Sequence, residues 1–391
     1  MAITHIEFEN RSVYHLTWLD RFKNIHWPIF LVLTVLAGFG GVILYSVAGG
    51  SWEPWALDHI RRYALVVAIG IVVCLIDIRI WYRFAYVIFG LSLLLLALVP
   101  FIGDLVNDSR RWISVGTFNL QPSEIMQVAA VIGLARFFHD KSHVEIGRFW
   151  NLIIPVIMTG AGVTLILFQP DLGTGLKLTA ICVMVFFAAG VRWWKFVLVV
   201  GAAVASWPLI WGNLASYQQE RILVLIGQST DVQDEAYQIT NSITAIGNGG
   251  WTGTGYLSGF QTQGGRLPFA ENDFVLAAIA EEFGFIGVLI VLAVYAILII
   301  MALVIALRSR NQFGRLIAIG LMSNLFLYVF INAAMIARIL PVVGVPLPMI
   351  SQGGTAMLVT TGIVGLLACV HTHRDVPMER ASRGKDYLVD D

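Results

Sequence analysis

The sequence predicts an all-α polytopic membrane protein, and its composition and the grouping of its apolar residues carry that prediction. Of the 391 residues, 58% are hydrophobic and only 13% are charged, and the mean hydropathy is +0.78. Soluble domains carry about 25% charged residues. The apolar residues form runs of about 20, the length that an α-helix needs to cross a bilayer. The formal net charge is zero, so no nucleic-acid partner is expected.

Ten such runs predict about ten transmembrane helices. Their approximate limits are 28–48, 60–77, 81–102, 123–138, 151–168, 174–191, 194–212, 280–307, 316–337 and 350–371. The first run is too long for a signal peptide, whose apolar core has about 7–15 residues, so we expect it to anchor the chain. The chain then divides into a cytoplasmic N-terminal segment (1–27), a ten-helix membrane domain (28–371) and a cytoplasmic tail (372–391).

The distribution of Lys and Arg predicts the orientation. Most of these 25 residues lie in the segments that would share one side with both termini, and cytoplasmic loops are rich in Lys and Arg. We therefore expect both termini inside and the one long loop, about 213–272, outside. The pairs Arg61–Arg62 and Arg110–Arg111 fall on the outer side and weaken the contrast.

Four even-numbered helices begin, on the predicted outer face, with a polar motif. The motifs are "QPSE" (121–124), "QPDLGT" (169–174), "AENDF" (270–274) and "PLPMISQGGT" (346–355). Each alone could be an ordinary helix cap. Together they place Glu124, Asp171, Asp273 and Ser351 near four helix N-termini, which attract anions such as phosphate. We therefore expect an outward-facing cavity that binds a phosphorylated ligand.

Four further residues are candidates for this cavity. The loop "NDSRRWISVGTFNL" (107–120) brings Arg110, Arg111 and Trp112 beside the first motif. Two arginines suit a diphosphate and a tryptophan suits a sugar. Alternatively, they are snorkelling arginines and an interfacial aromatic. Lys177, inside the sixth helix, must pair with a carboxylate such as Asp171 or face a cavity, because a charge is costly in the bilayer.

The eighth helix is preceded and opened by acidic residues. The apolar stretch beginning at Asp273 is longer than one crossing requires, so its first turns are expected to rise into the outer cavity. On a continuous helix Glu281 would lie about 80° from Asp273 and could line the same cavity, whereas Glu282 would face another helix. Glu271 is expected in the solvated loop. The Gly-rich stretch 247–265 is expected to be a flexible covering loop.

These segments carry a family resemblance. In order they read "RRWISVG…QPSEIMQ", "QPDLGT", "YQIT", "NDFVLAAIAEEFGFIG" and "LPVVGVPLPMISQGGT", and from about 25 to 370 they resemble the SEDS family, in its RodA-like branch. The resemblance implies a peptidoglycan glycosyltransferase. It would polymerise lipid II, the undecaprenyl-diphosphate-linked disaccharide pentapeptide, on the outer face of the cytoplasmic (inner) membrane. It also implies a class B penicillin-binding protein as partner, the elongation machinery, and a divalent cation, Mg²⁺ or Mn²⁺.

The resemblance also implies roles for single residues. The family's essential acid corresponds to Asp273, which would also be the possible metal ligand, and the family's conserved motifs place Glu124, Arg111, Trp112 and Asp171 in the site. We predict that Asp273 is the general base that takes the proton from the acceptor sugar's 4-hydroxyl. Direct displacement would then invert the donor carbon.

The sequence departs from the family pattern at five positions. Gln127 replaces a lysine, Gln352 a tyrosine, Arg338 a glycine and Asn272 a threonine, and the family's histidine before that threonine is missing. We hypothesise that Lys177 or Arg338 supplies the missing positive charge. Two other function classes stay open: a non-catalytic scaffold that regulates a penicillin-binding protein, and a lipid II flippase, which would need a polar path across the membrane.

Overall fold

A computed structural model describes residues 18–106, 109–116, 118–214, 216–225 and 235–378. The rest of the predicted terminal segments (1–17 and 379–391) and part of the predicted outer loop (215 and 226–234) lie outside the described residues. The helices are α1 (Trp18–Lys23), α2 (Trp27–Val47), α3 (Ala56–Leu75), α4 (Ile78–Ile102), α5 (Pro122–His139), α6 (His143–Ile146), α7 (Ile153–Phe168), α8 (Leu172–Ala189), α9 (Trp193–Ala205), α10 (Trp207–Asn213), α11 (Ser216–Leu225), α12 (Glu235–Gly249), α13 (Phe260–Gln263), α14 (Val275–Arg308), α15 (Gln312–Ile336) and α16 (Gly354–Thr372).

The predicted all-α membrane architecture is confirmed, since each of the ten apolar runs is helical. Seven described helices are long and apolar enough to cross a membrane. The runs outside that set correspond to α3, α5 and α9. Helix α3 carries Asp58, Arg61 and Arg62, α5 carries polar residues that the candidate site uses, and α9 has only 13 residues.

A small antiparallel sheet was not predicted. It lies between α4 and α5 and consists of β1 (Asp104–Val106), β2 (Ser109–Val115) and β3 (Phe118–Leu120), in the order β1-β2-β3. Asp104 pairs with Trp112 and Leu105 with Arg110, so the register shifts between them. Arg111 is therefore an extra residue in β2 without a partner on β1, and the regular alternation of side chains is interrupted there.

The helices divide into a central and a peripheral group. Helices α5, α8, α15 and α16 pack on one another and are buried on most sides. In contrast, only 22% of the most apolar stretch of α4 is buried, and the same holds for the helical segment Trp150–Phe168. A helix that is apolar but exposed fits a surface covered by lipid. Three of the four polar motifs lie at the starts of α5, α8 and α16 in the central group.

Helix α14 is broken at Gly284, whose φ of 68° and ψ of −168° are not helical. A stretch of the Gly-rich segment lies against the break. Thr254 and Gly255 donate backbone hydrogen bonds to the carbonyls of Glu281 and Glu282, and Phe285 donates to the carbonyl of Gly250. A discontinuous membrane helix needs such partners for its freed backbone groups. The flexible cover expected for 247–265 is therefore wrong for this stretch, which is a packed strap.

The strap is also bound to α2. The Tyr256 hydroxyl donates to the carbonyl of Val42 over 3.0 Å, and burial raises the pKa of this tyrosine. The Ser46 hydroxyl donates to Glu282 Oε1 over 2.5 Å. Gln263 Nε2 donates to the Ser46 carbonyl over 2.8 Å. One end of α2, the strap and the start of α14 thus form a single packed unit.

Candidate active site

Three of the four polar motifs meet at Gln121, the residue before α5. Its backbone N–H donates to Thr355 Oγ1 over 3.2 Å, and its Nε2 donates to Asp171 Oδ2, also over 3.2 Å. Thr355 in turn donates its hydroxyl to the carbonyl of Asn119. The starts of α5, α8 and α16 therefore converge, as the sequence predicted.

Asp171 caps α8 and holds the second motif in place. Its Oδ1 accepts from the backbone N–H of Thr174 over 3.1 Å, which is the usual role of an N-cap aspartate. Arg111, from β2, donates to the carbonyls of Gln169 (3.0 Å) and Pro170 (2.6 Å). The arginine therefore positions the loop before α8, and two of its five N–H groups are used for that.

The third and fourth motifs are joined by a different set of bonds. The Ser351 hydroxyl donates to the carbonyl of Asn272 over 2.6 Å. The backbone N–H of Gln352 donates to the carbonyl of Glu271 over 2.8 Å. Asn332, on α15, donates to both the carbonyl of Asp273 (2.9 Å) and that of Val345 (2.8 Å). These two hydrogen bonds fix the position of Asp273 against the loop that precedes α16.

The Asp273 side chain lies in the loop just before α14 and is partly exposed. Its Oδ2 is 3.6 Å from the position that a Cβ atom on Gly344 would occupy. Gly344 has a φ of 67°, a conformation that favours glycine. The carboxylate therefore faces the loop between α15 and α16, on the side where the four motifs meet.

A buried glutamate and a buried lysine both contact Tyr328 on the facing sides of the central helices. Tyr328 Oη donates to Glu124 Oε1 over 2.9 Å, and the Lys177 ammonium lies over the Tyr328 ring. Glu124 is 5% exposed and Lys177 2% exposed, so neither is on the surface. Tyr328 thus contacts both the Glu124 carboxylate and the Lys177 ammonium.

Four of the predicted site residues do not lie where the polar motifs meet. Gln127 is completely buried, one turn further along α5 from Glu124. Arg110 is exposed and points its guanidinium at the carbonyl end of α4. Arg338 is exposed and donates to the carbonyl of Val224 over 3.3 Å.

Glu281 is the fourth, and it does not line a cavity with Asp273. Its carboxylate accepts from the backbone N–H groups of Gln261 (2.7 Å) and Thr262 (2.9 Å) and from the Thr262 hydroxyl (2.7 Å). These bonds fix the start of α13 and leave Glu281 fully buried. The expected cavity position assumed a continuous helix from Asp273, but α14 begins only at Val275. Glu281 therefore has a structural role.

Sequence reasoning missed the polar residues of α15. Asn324, Tyr328 and Asn332 are each fully buried and are spaced four residues apart. That spacing places them on one face of a helix, and polar side chains in a membrane helix face the protein interior. The spacing was therefore a readable signal for the residues that position Asp273 and Glu124.

The donor set around Asp273 limits what metal could bind. Among the residues that the structure describes, no three His, Cys, Asp or Glu side chains are grouped as a metal site would require. Mg²⁺ is commonly held by one or two carboxylates together with substrate phosphates. The residues present thus fit an ion that arrives with a diphosphate.

A cavity of 550 Å³ lies at the opposite ends of the central helices. Its lining includes His139 at the end of α5 and Gln312 and Arg315 at the start of α15. None of the four motifs contributes to it. Its position makes it unrelated to the candidate site.

Residues 26–376 match the model of the FtsW/RodA/SpoVE family, described as cell cycle proteins. The chain is 35% identical over 350 residues to the peptidoglycan glycosyltransferase MrdB of Escherichia coli (strain K12), covering 88% of this chain and 93% of that protein. It is 32% identical over 363 residues to a probable peptidoglycan glycosyltransferase FtsW of Trichlorobacter lovleyi, with the same shares covered.

Solved structures with a similar fold come from the same family. A chain from a peptidoglycan synthase complex that coordinates polymerization and crosslinking superposes with a TM-score of 0.75 at 28% identity, covering 90% of this chain and 99% of that one. The rod shape determining protein RodA of Thermus thermophilus superposes with a TM-score of 0.65 at 25% identity, covering 90% and 98%. This chain is thus a multi-pass membrane protein that belongs to the FtsW/RodA/SpoVE family.

Proposed function

We propose that this protein is a peptidoglycan glycosyltransferase that polymerises lipid II during cell elongation. The observation that carries the proposal is the position of Asp273, whose backbone carbonyl is held by Asn332 at the point where the four motifs converge. The relatives MrdB and FtsW, a peptidoglycan glycosyltransferase and a probable one, support the reaction class. The active site would lie on the outer side of the cytoplasmic membrane, where lipid II is polymerised.

Asp273 acts as the general base. Its carboxylate takes the proton from the acceptor sugar's 4-hydroxyl, and the oxygen then attacks the anomeric carbon of the donor. The bond from that carbon to the diphosphate breaks, the electron pair leaves with the undecaprenyl diphosphate, and the configuration at the carbon inverts. Because a diphosphate leaves as an anion, a second carboxyl group is not needed as an acid.

The remaining residues bind and position the substrates. The N–H groups of Arg111 that do not contact the loop before α8 could donate to the diphosphate, and Trp112 could stack on a sugar. Asp171, Ser351 and Gln121 hold the loops that form the site. A divalent cation bound to Asp273 and the diphosphate would neutralise the charge of the leaving group.

The proposal is tested with purified protein, its class B penicillin-binding partner and labelled lipid II. Asp273→Asn should abolish glycan polymer, because an amide cannot accept the proton. The matched control is Glu271→Gln, which changes another acid in the same loop. Glu271 binds the fourth motif through its backbone carbonyl, which the substitution does not change, so this variant should polymerise at the normal rate. Polymer formed by Asp273→Asn would remove Asp273 as the base.

The same assay separates the scaffold alternative. A scaffold would give no polymer with either the wild type or the variants, while its partner kept its crosslinking activity.

The flippase alternative is disfavoured by the packing of the central helices. A Cβ on Gly320 would lie 2.6 Å from Val131 and 2.9 Å from Val185, so α5, α8 and α15 are in close apolar contact there. That contact interrupts a polar path between them.

A further inference from the structure

Three contacts fix the register between α5 and the antiparallel helix α15. Tyr328 bonds to Glu124, Gly320 packs on Val131, and Gln312 donates to the carbonyl of Phe138. Gln127 is three residues from Glu124 and four from Val131, and Asn324 is four residues from both Tyr328 and Gly320. Residues three or four apart share a helix face. Gln127 and Asn324 therefore face each other between the first two contacts.

These two amides are buried polar groups without partners. Both residues are 0% exposed, and neither the oxygen nor the nitrogen of either side-chain amide has a hydrogen-bond partner in the described part of the chain. The same holds for Oε2 of Glu124, one turn along the same face of α5. Buried polar groups in proteins are almost always hydrogen-bonded, to protein or to ordered water. In a membrane interior this requirement is stricter.

We propose that Gln127, Asn324 and Oε2 of Glu124 form an internal water-binding site. A bound water makes about three hydrogen bonds, and this group offers two amide NH2 groups and three acceptor oxygens. A water both donates and accepts, so it can bond to one group of each amide and supply the donor that Oε2 lacks. Tyr328 and the water then hold the two oxygens of Glu124 from opposite sides.

The site is closed at the end away from the polar motifs. A Cβ on Gly320 would already be too close to Val131 and Val185, so no room for a water exists at that layer. At the other end the site adjoins the Glu124–Tyr328 bond, close to where the motifs meet. We therefore expect this water to exchange with solvent on the side of the candidate site.

Radiolytic hydroxyl footprinting of the full chain in lipid nanodiscs tests the proposal, because bound water is cleaved where it lies and labels adjacent side chains. Tyr328 should take up ¹⁸O from labelled water although it is buried, and the double variant Gln127→Leu/Asn324→Leu should lose that label. Tyr295, a buried tyrosine of α14, is the control, and its label should be equal in both proteins. Equal labelling of Tyr328 in both proteins, or none in the wild type, would overturn the site.

If the double variant does not fold, a density map of the wild type that resolves ordered water decides. Density bridging the two amides and Glu124 is expected. A direct bond between the amides of Gln127 and Asn324, with no bridging density, would overturn the site. Neither measurement depends on glycosyltransferase activity.

Discussion

At the scale of single residues, the position of Lys177 explains a departure from the family pattern. The family's lysine at position 127 is a glutamine here, and the Lys177 ammonium of α8 lies over the ring of Tyr328, whose hydroxyl binds Glu124. Arg338, the other candidate, is exposed and bonded to a carbonyl. We infer that Lys177 supplies the missing charge.

This inference predicts that a lysine at position 127 can partly replace Lys177. Lys177→Leu should lower lipid II polymerisation at least tenfold, because it removes the buried positive charge closest to the Tyr328–Glu124 hydrogen bond. Adding Gln127→Lys to that variant should restore part of the rate, since position 127 lies one turn from Glu124 on the same helix. Initial rates and thermal stability in detergent are measured together.

The controls for the exchange are the two single variants. Gln127→Lys alone places a second ammonium in a buried site and should destabilise the protein. A full rate for Lys177→Leu would show that Glu124 needs no positive neighbour. A double variant no more active than Lys177→Leu would show that the position of the ammonium, and not only its charge, is required.

At the scale of elements, the break in α14 depends on Gly284. At its φ of 68° an L-residue is strained, and a Cβ there would lie 2.4 Å from the backbone N of Gly253 and 2.5 Å from the carbonyl O of Trp251. Gly284→Ala should therefore separate the strap from the helix and lower the free energy of unfolding by about 2–4 kcal/mol.

The matched control for Gly284 is Gly362, in the interior of α16, where an added Cβ would meet nothing within 4 Å. Gly362→Ala should be neutral or stabilise by up to about 1 kcal/mol, because alanine favours helix. Thermal unfolding followed by tryptophan fluorescence distinguishes the two. Equal melting temperatures for Gly284→Ala and the wild type would show that the break is not required.

The break in α14 could not be predicted from the sequence, whereas the helices themselves could. Apolar runs predicted the helices because each must be about 20 residues long to cross a bilayer, and the motifs predicted the converging starts of α5, α8 and α16. Gly284 is a glycine in an apolar stretch, which membrane helices tolerate, so nothing local indicated a break. The role of Glu281 depends on its contact with the distant Thr262, which no local pattern encodes.

At the scale of the whole molecule, orientation in the membrane is the property on which the proposed site depends. Lipid II can reach Asp273 on the outer face only if the loop between α2 and α3 is outside and that between α14 and α15 is inside. The distribution of Lys and Arg favours this arrangement. Ser51, in the first loop, and Arg310, in the second, are both exposed and report on the two sides.

Cysteine labelling tests the orientation directly, and the native thiols do not interfere, because Cys74, Cys182 and Cys369 are all buried. In spheroplasts a membrane-impermeant maleimide should label Ser51→Cys at once. It should label Arg310→Cys only after the membrane is permeabilised, since that position would face the cytoplasm. The wild type should stay unlabelled in both conditions. Labelling in the reverse order would place Asp273 and the four motifs on the cytoplasmic side, where a polymerase acting on exported lipid II could not use them.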